Sequence, residues 1–312
     1  MAEVKKKIAT REAYGQFLVE YGSAREDLIV MSADLSGSNK TDGFEKAYPE
    51  RFIEVGISEQ DMLAEAAGIA HMGHVVAASS FAMFAAGRGY EVIRNSIAHT
   101  KANVKVCATH GGISVGEDGA SHQTFEDIAL MRVIPDMIVV NPADALSTKI
   151  LLKQIFDAEG SAYVRLGRFG VPILYGEDEA LEIGKANTIR EGTDAAVIAT
   201  GLMVSEALEA AEILSSEGIS VKVVDMHTIK PLDEEAIVAS AKECGAVVTA
   251  EEHSIIGGLG GAVSETLARN YPCKVAMVGQ NDTFGESGKP ADLMKKYGMT
   301  ANDIVAAVKS LI

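Results

Sequence analysis

The strongest constraint on this chain is a regular alternation of apolar, strand-like runs with helical patterns, which continues through most of its 312 residues. The predicted strands of the first half are Asp27–Ser32, Phe52–Gly56, His74–Ser79, Val104–Thr109, Met137–Val140 and Ala162–Leu166. Predicted helices between them cover 9–22, 58–72, 81–99, 124–133 and 143–157. Such an alternation predicts a mainly parallel sheet with helices on both faces.

The alternation lapses near Arg168–Glu191 and then resumes as a second α/β unit. Its predicted strands are Ala195–Thr200, Val221–Asp225, Ala246–Ala250 and Lys274–Val278, and its predicted helices are Val204–Ser216, Glu234–Cys244, Leu259–Asn270 and Asn302–Ser310. We therefore predict two doubly wound, mainly parallel α/β domains, 1–170 and 192–312, with a linker over 171–191.

The charge balance and the cysteine content limit which kinds of ligand and partner this chain can bind. The chain has 28 basic and 44 acidic side chains, a net charge of −16, which argues against nucleic acid and anionic membrane. An anionic substrate needs a few converging Arg, Lys or His side chains. The three scattered cysteines predict neither a disulfide framework nor a metal site. With no signal-peptide core at the N-terminus and no long apolar run, we expect a soluble, cytoplasmic protein.

One carboxylate, Glu59, is predicted to lie where a buried strand ends and a helix begins. Ser58 and Asp61 have the spacing of a capping box at the start of that helix. In doubly wound sheets, ligands bind at this end of the strands. Phe81 and Phe84, three residues apart, are expected on one face of the next helix. On this stretch alone, the alternative that Glu59 only complements the helix dipole stays open.

The segment richest in chemically active residues is His110–Gln123, HGGISVGEDGASHQ, which follows a buried-type strand. Its glycines let backbone approach a ligand closely, while His110, Asp118 and His122 supply groups for hydrogen bonding and proton transfer. A long loop at a strand end is more often functional than decorative. Either histidine alone would be read as structural.

Three further features point to the same edge of the sheet. Ser32–Asn39 follows the first predicted strand and offers hydroxyls and amides to an anion. Arg11 and Arg168 lie near strand ends, where an arginine can bind phosphate, although a surface arginine is the commoner case. Gly257–Gly261 fails the dinucleotide-binding spacing because Val263 replaces its third glycine, so we predict a tight strand-to-helix turn.

Taken together, these segments resemble the C-terminal half of transketolase, in the family's order and at similar spacing. The matching runs are SADLSGSN, FIEVGISEQ, SSFAMF, ATHGGISVGEDGASHQ, RVIPDMIVVNPAD and SAYVRLGR, followed by VVDMHTIKPLD and EEHSIIGGLGGAV in the C-terminal domain. The resemblance covers essentially the whole chain. It implies a pyrimidine-binding domain followed by a transketolase C-terminal domain.

The resemblance implies chemistry based on thiamine diphosphate. Glu59 matches the glutamate that hydrogen-bonds the N1′ nitrogen of the aminopyrimidine and so favours the tautomer that removes the thiazolium proton. Phe81 and Phe84 match the aromatic residues that pack on the pyrimidine, and Asp34 matches a position near the cofactor. These are the implied cofactor-binding residues.

The resemblance also implies a sugar-phosphate substrate. Its phosphate-binding set matches Arg11, Ser38, His110 and Arg168. Asp118 and His122 match residues that bond the sugar hydroxyls, with His122 near the first carbons of the donor. The implied catalytic residues are Glu59, His110 and His122.

The chain departs from the family pattern at three pocket positions. Gly87 stands where a third aromatic residue is usual, and Tyr90 is the candidate substitute. Gln60 replaces the usual histidine after the glutamate, and Gly111 replaces an acidic residue after His110. These departures concern the shape of the pyrimidine pocket.

The larger departure is the missing GDG motif with its paired Asn, through which the family binds a divalent metal such as Mg²⁺ and the diphosphate. The Asp-Gly pairs at 42–43 and 118–119 are not followed by such an Asn. The implied metal and diphosphate site therefore belongs to a partner, an N-terminal subunit, in an expected α2β2 assembly. The isolated chain is then expected to have no turnover.

Three other functions stay open. A β subunit of a 2-oxo acid dehydrogenase is also a half-length chain but lacks the GEDG-x-S-HQ run. A 1-deoxyxylulose-5-phosphate synthase has a related glycine-rich loop but is normally one long chain. A non-catalytic partner with this fold would have no need for Glu59, His110, Asp118 and His122 together.

Overall fold

The computed structural model describes residues 6–312, and its two large sheets are both mainly parallel, which confirms the predicted α/β fold. The strands of the first domain are β1 (Lys7–Ile8), β2 (Leu28–Ser32), β3 (Phe52–Glu54), β4 (Val75–Phe81), β5 (Val104–Thr109), β6 (Ile138–Val140), β7 (Ala162–Arg165) and β8 (Val171–Pro172). Its helices are α1 (Thr10–Gly22), α2 (Ser36–Asn39), α3 (Asp42–Ala47), α4 (Glu59–His71), α5 (Tyr90–Val92), α6 (Asp127–Arg132) and α7 (Ala145–Asp157).

The second half continues the same numbering. Its strands are β9 (Asn187–Arg190), β10 (Ala195–Ala199), β11 (Val221–Asp225), β12 (Thr228–Lys230), β13 (Ala246–Ser254) and β14 (Lys274–Gln280). Its helices are α8 (Met203–Ser216), α9 (Glu234–Cys244), α10 (Leu259–Asn270), α11 (Pro290–Lys296) and α12 (Ala301–Lys309). The predicted strand-to-helix turn at Gly257–Gly261 is confirmed, because α10 begins at Leu259.

The first sheet has the strand order β12-β6-β7-β5-β4-β2-β3, and every strand pair in it except β12–β6 is parallel. Every residue of β4 is buried. Val75 and Ala77 contribute to one apolar cluster and Val76 and Ala78 to the other, as the two-residue side-chain period of a strand requires. Both faces of this strand therefore pack in the hydrophobic core, which explains why small and apolar residues follow one another in its sequence without polar alternation.

A buried lysine in the central strand β5 is explained by the end of α7. Lys105 is 1% exposed, and its Nζ donates to the carbonyls of Ala158 at 2.9 Å and Gly160 at 2.6 Å. These carbonyls follow the C-terminus of a helix, where cations are favoured. Burial lowers the pKa of Lys105 to about 8.

The second sheet has the order β14-β13-β10-β11-β9, with β9 antiparallel at its edge. The short strand β12 follows β11 in sequence but belongs to the first sheet, where it pairs with β6, with Thr228 opposite Val140. The side chain of Lys230 also donates to the Arg132 carbonyl at 3.0 Å. The two sheets are thus joined by hydrogen bonds as well as by side-chain packing.

Two local predictions in the first domain were wrong. The expected helix over 81–99 is divided: Phe81 ends β4, and π-helical turns at Met83–Arg88 and Ile93–Ala98 flank the short helix α5. The expected capping box also does not form, because the Ser58 side chain makes no capping hydrogen bond. Ser58 precedes Glu59 in the sequence, and the first π-helical turn ends at Arg88, which contacts Glu59.

In the part of the chain that the structure describes, no helix is long and apolar enough to cross a membrane.

Candidate active site

The topology gathers the sequence-predicted residues at one edge of the first sheet. Parallel strands direct their carboxyl ends to the same edge, and loops after those ends form the usual ligand crevice of doubly wound folds. The predicted residues that follow β2, β3, β4, β5 and β7 are Asp34, Ser38, Glu59, Phe81, Phe84, His110, Asp118, His122 and Arg168. Arg11 joins them from the first turn of α1.

His110 is held by hydrogen bonds at both ring nitrogens. Arg11 Nη1 lies 3.0 Å from His110 Nε2, and because a guanidinium only donates, Nε2 is the acceptor. Nδ1 then carries the proton and donates to Thr109 Oγ1 at 2.8 Å, and that hydroxyl donates to Asn39 Oδ1 at 2.7 Å. The Phe81 ring stacks on the imidazole with centroids 3.8 Å apart. The ring is therefore fixed in one tautomer and one orientation.

The charge state of His110 is fixed as well. Burial lowers the pKa of His110 to about 3, with further contributions from the positive charges of Arg11 and Arg168. The imidazole is therefore neutral at physiological pH. Its Nε2 therefore serves at the cleft as a hydrogen-bond acceptor, and the ring adds no charge of its own.

Two guanidinium groups lie beside this histidine. Arg11 Nη1 also donates to the main-chain carbonyl of Ser38 at 3.0 Å, and burial together with the charge of Arg168 lowers the pKa of Arg11. Arg168 lies 3.5 Å from Asp118 and 3.7 Å from Glu117. Arg11 Nε is buried and has no hydrogen-bond partner among residues 6–312. Two arginines with spare donors suit an anionic group such as a phosphate.

Glu59, the first residue of α4, is 4% exposed and has one ionic partner in the part of the chain that the structure describes. Arg88 Nη1 contacts both of its carboxylate oxygens, at 3.2 and 3.0 Å. Arg88 itself is 55% exposed, and its guanidinium carbon lies 4.6 Å from the centre of the Phe84 ring. A flat, hydrogen-bond-donating cation is thus stacked on Phe84 and bonded to a buried carboxylate.

An aromatic wall connects the two ends of the cleft. Phe81 and Phe84 stack with centroids 5.7 Å apart. The His122 ring packs edge-on against Phe84 at 5.3 Å, and its Nδ1 lies 3.0 Å from Ser121 Oγ. The structure therefore brings both phenylalanines and both loop histidines into one aromatic cluster, to which Arg88 connects Glu59.

Asp34 and Ser38 contribute to the site through main-chain hydrogen bonds rather than through their side chains. Asp34 is exposed at a positive φ of 58°, and its main-chain N–H donates to Glu54 Oε1 at 2.6 Å. The same oxygen of Glu54 accepts the Gly56 N–H at 3.0 Å. Glu54 thus fixes the backbone where β2 and β3 end. Ser38 supplies its carbonyl to Arg11, and its side chain is half-buried.

The sequence analysis missed Arg88, the Thr109–Asn39 pair and Glu54. For Arg88 a signal exists, since it lies four residues after Phe84, on the same helical face. Tyr90, the candidate third aromatic residue, packs instead on the apolar cluster that contains Leu63 and Ile93. The flat group on Phe84 is therefore the guanidinium of Arg88.

Comparison with known proteins gives one consistent result. Residues 6–172 match the family described as "Transketolase, pyrimidine binding domain", and residues 184–304 match "Transketolase, C-terminal domain". A protein described as "Putative transketolase C-terminal section" from Methanocaldococcus jannaschii is 51% identical over 96% of this chain and 94% of its own length. Human transketolase is 37% identical over 99% of this chain, which spans 50% of the human protein.

A solved structure has the same fold throughout. The "Split gene transketolase, inactive beta4 tetramer" is 53% identical, with a TM-score of 0.91, and the match covers 97% of this chain and 98% of that one. The predicted resemblance is thereby confirmed, and this chain belongs to the transketolase family, as a C-terminal section made of the pyrimidine-binding and C-terminal domains.

Proposed function

We propose that this chain is the C-terminal subunit of a thiamine diphosphate-dependent transketolase, which transfers a two-carbon ketol unit from a ketose phosphate to an aldose phosphate. The observation that carries the proposal is the buried Glu59 carboxylate, which among residues 6–312 is ion-paired only with Arg88, an exposed side chain that lies over the Phe84 ring. The Arg88 guanidinium has the planarity and the N–H donors of an aminopyrimidine. A site in which the Glu59 carboxylate and the Phe84 ring bind the guanidinium therefore also suits an aminopyrimidine ring.

When bound, the coenzyme supplies a nucleophilic carbon that attacks the donor's carbonyl and carries the two-carbon unit. Glu59 would accept a hydrogen bond from the pyrimidine ring in place of the bonds that Arg88 donates here, and Phe81 and Phe84 would pack on that ring. Arg88 must leave Glu59 for this to occur, which its exposure permits. Asp34 lies at the edge of the same crevice.

At the other end of the cleft, Arg11 and Arg168 bind the substrate phosphate, together with Ser38 and His110. The neutral imidazole of His110 accepts from Arg11, so it orients that guanidinium toward the anion. Asp118 and His122 bond the sugar hydroxyls, with His122 against the phenylalanine wall. A net charge of −16 makes these local positive groups the natural place for a sugar phosphate.

The diphosphate and its divalent metal, Mg²⁺ or similar, fit a partner chain better than this one. Within residues 6–312, no three His, Cys, Asp or Glu side chains cluster as metal ligands. Two similar proteins are described as a transketolase C-terminal section and as a split gene transketolase. We infer an N-terminal subunit that completes the active site, in an α2β2 complex within the cytoplasm and the pentose phosphate pathway.

The test is reconstitution with that N-terminal subunit. Coupled assays with xylulose 5-phosphate plus ribose 5-phosphate should give turnover, whereas pyruvate plus glyceraldehyde 3-phosphate should give none. Turnover with the second pair alone would assign a 1-deoxyxylulose-5-phosphate synthase-like function, and turnover with a 2-oxo acid plus lipoamide would assign a 2-oxo acid dehydrogenase β-like one. Full activity of the lone chain would contradict the shared site, and no activity with any pair would support a non-catalytic partner.

A further inference from the structure

The C-terminal domain contacts the loop that carries the proposed substrate-binding residues. We call His110–Gln123 the substrate loop. Its Ser114 N–H donates to the carboxylate of Glu252 on β13 at 2.6 Å. The Gln123 side chain donates to the Glu286 carbonyl at 2.9 Å, and the Ser287 hydroxyl donates to the Glu117 carbonyl at 2.9 Å. Three residues of the second domain thus hold the loop at its start, middle and end.

The approach between loop and domain is close enough to require glycine. A Cβ on Gly112, whose φ is +86°, would lie 2.3 Å from the Glu252 carboxyl carbon. A Cβ on Gly111 would lie 2.6 Å from Arg165 Nε. The backbone after His110 therefore rests directly on a buried carboxylate and a buried guanidinium, which fixes the direction in which the loop leaves β5.

Glu252 is itself held rigidly. It is 3% exposed, and its main-chain carbonyl accepts a hydrogen bond from Arg165 Nη2 at 2.8 Å. Arg165 Nε donates to Asp127 Oδ2 at 2.9 Å, and the Tyr163 hydroxyl donates to the same oxygen at 2.8 Å. This buried network spans both sheets, so the Glu252 carboxylate is presented to the loop at a fixed place.

We propose that Glu252 is a positioning residue, which holds the substrate loop through Ser114 N–H so that Asp118 and His122 are placed to bind the sugar phosphate. The proposal rests on the proposed function for the identity of that ligand. It assigns the C-terminal domain a specific part in the reaction, that of setting the geometry of substrate binding from outside the cleft.

The chain offers a matched control in the neighbouring carboxylate. Glu251 is 1% exposed, and its two oxygens accept the N–H groups of Leu259 and Gly260, both at 2.7 Å, at the start of α10. It is as buried as Glu252 and also bonds to backbone N–H groups, but within its own domain. A general loss of stability should follow from either substitution, whereas a change in the loop should follow only from Glu252.

The first measurement is amide hydrogen exchange in the full-length chain, which needs neither partner nor turnover. Glu252→Asp withdraws the carboxylate from Ser114 while keeping its charge, and Glu252→Gln keeps an oxygen acceptor while removing the charge. We expect E252D to accelerate exchange over residues 111–123 roughly tenfold or more, with E252Q close to the wild type. Glu251→Gln should change exchange at the start of α10 and leave the loop unchanged.

The second measurement is kinetics in the reconstituted complex. E252D should raise KM for the ketose phosphate roughly tenfold, while the coenzyme Kd is unchanged and E252Q restores KM. Uniform acceleration of exchange across β10 and β13 in E252D, or equal KM changes in E252D and E251Q, would overturn the positioning role. Release of the loop in E252D together with no sugar-phosphate turnover by the wild type would instead overturn the proposed function.

Discussion

At the proposed coenzyme end of the cleft, Glu59 has, among residues 6–312, a single ionic partner, whose side chain is 55% exposed. At the proposed substrate end, His110 is bonded at both ring nitrogens, by the partly buried Arg11 and the buried Thr109. Because the Arg88 side chain is solvent-exposed, its attraction to Glu59 is screened and Arg88 is easily exchanged for another partner. A buried, fully bonded imidazole costs much more to move, because its partners would be left unsatisfied. Glu59 can therefore exchange Arg88 for a new partner, whereas the His110 side chain is already fixed in place before a ligand binds.

The difference matches what each end is proposed to bind. The coenzyme must enter and then stay, so a carboxylate that is buried yet covered by a displaceable cation keeps the pocket stable until the ring arrives. The sugar phosphate must bind and leave in every cycle. A substrate site that is already ordered avoids the free-energy cost of ordering side chains at each turnover.

The largest expected effect comes from Glu59→Gln, which keeps the shape of the side chain but weakens its interaction with the pyrimidine ring. We expect turnover of the reconstituted complex to fall by at least ~10²-fold, because a positioned group that assists proton transfer contributes this much. Single-turnover kinetics with the ketose phosphate measures it. Turnover within threefold of the wild type would show that this carboxylate does not activate the coenzyme.

A smaller effect is expected from Arg11→Met at the substrate end. Loss of a charge-assisted hydrogen bond to phosphate should raise KM for the ketose phosphate ~10- to 100-fold. The matched control is Arg190→Met, which removes an arginine paired with Glu212 in the second domain. An equal rise in KM for an unphosphorylated ketose would contradict a phosphate-binding role, because that substrate has no charge to lose.

Sequence reasoning recovered the residues at the strand ends but missed several of the groups that bond to them. The carboxyl ends of β3, β4 and β5 follow from hydrophobic periodicity, so the gathering of Glu59, Phe81 and His110 at one edge could be predicted. The missed groups come from distant segments: Arg88 is 29 residues from Glu59, and Glu252 is 138 residues from Ser114. Periodicity reports which face of an element is buried, not which distant polar group meets it.

Local irregularity limited the prediction as well. The segment 81–99 has helical periodicity, but the structure divides it into π-helical turns, the first of which ends at Arg88, the ionic partner of Glu59. Such single-turn π-helical irregularities cluster at functional sites. Ser58 likewise has the residue type and spacing of a cap, yet it makes no such bond in the structure.

Arg88→Met tests whether the ion pair is a substitute for the coenzyme. In the lone chain the variant leaves Glu59 buried without a partner, at a cost of about 1 kcal/mol after allowance for the exposure of Arg88. Tm should therefore fall by a few degrees in the lone chain. With partner and coenzyme present, the ring bonds Glu59 and the difference should vanish. A difference of equal size in both states would mean that Arg88 stays on Glu59 throughout.

The smallest expected effect is the pH dependence of stability that His110 contributes. The folded-state pKa of His110 is lowered to about 3, so between pH 6.5 and 3 the unfolded chain binds a proton that the folded chain does not. Stability should therefore fall as the pH drops through this range, and His110→Asn should flatten the slope. His227, whose pKa burial lowers to about 4, contributes with the same sign, so the slope should not disappear. Urea unfolding midpoints of wild type and variant between pH 7 and 4 measure this difference. Parallel curves for the two proteins would mean that folding does not lower the pKa of His110, which would contradict a neutral acceptor that stays uncharged as the pH falls.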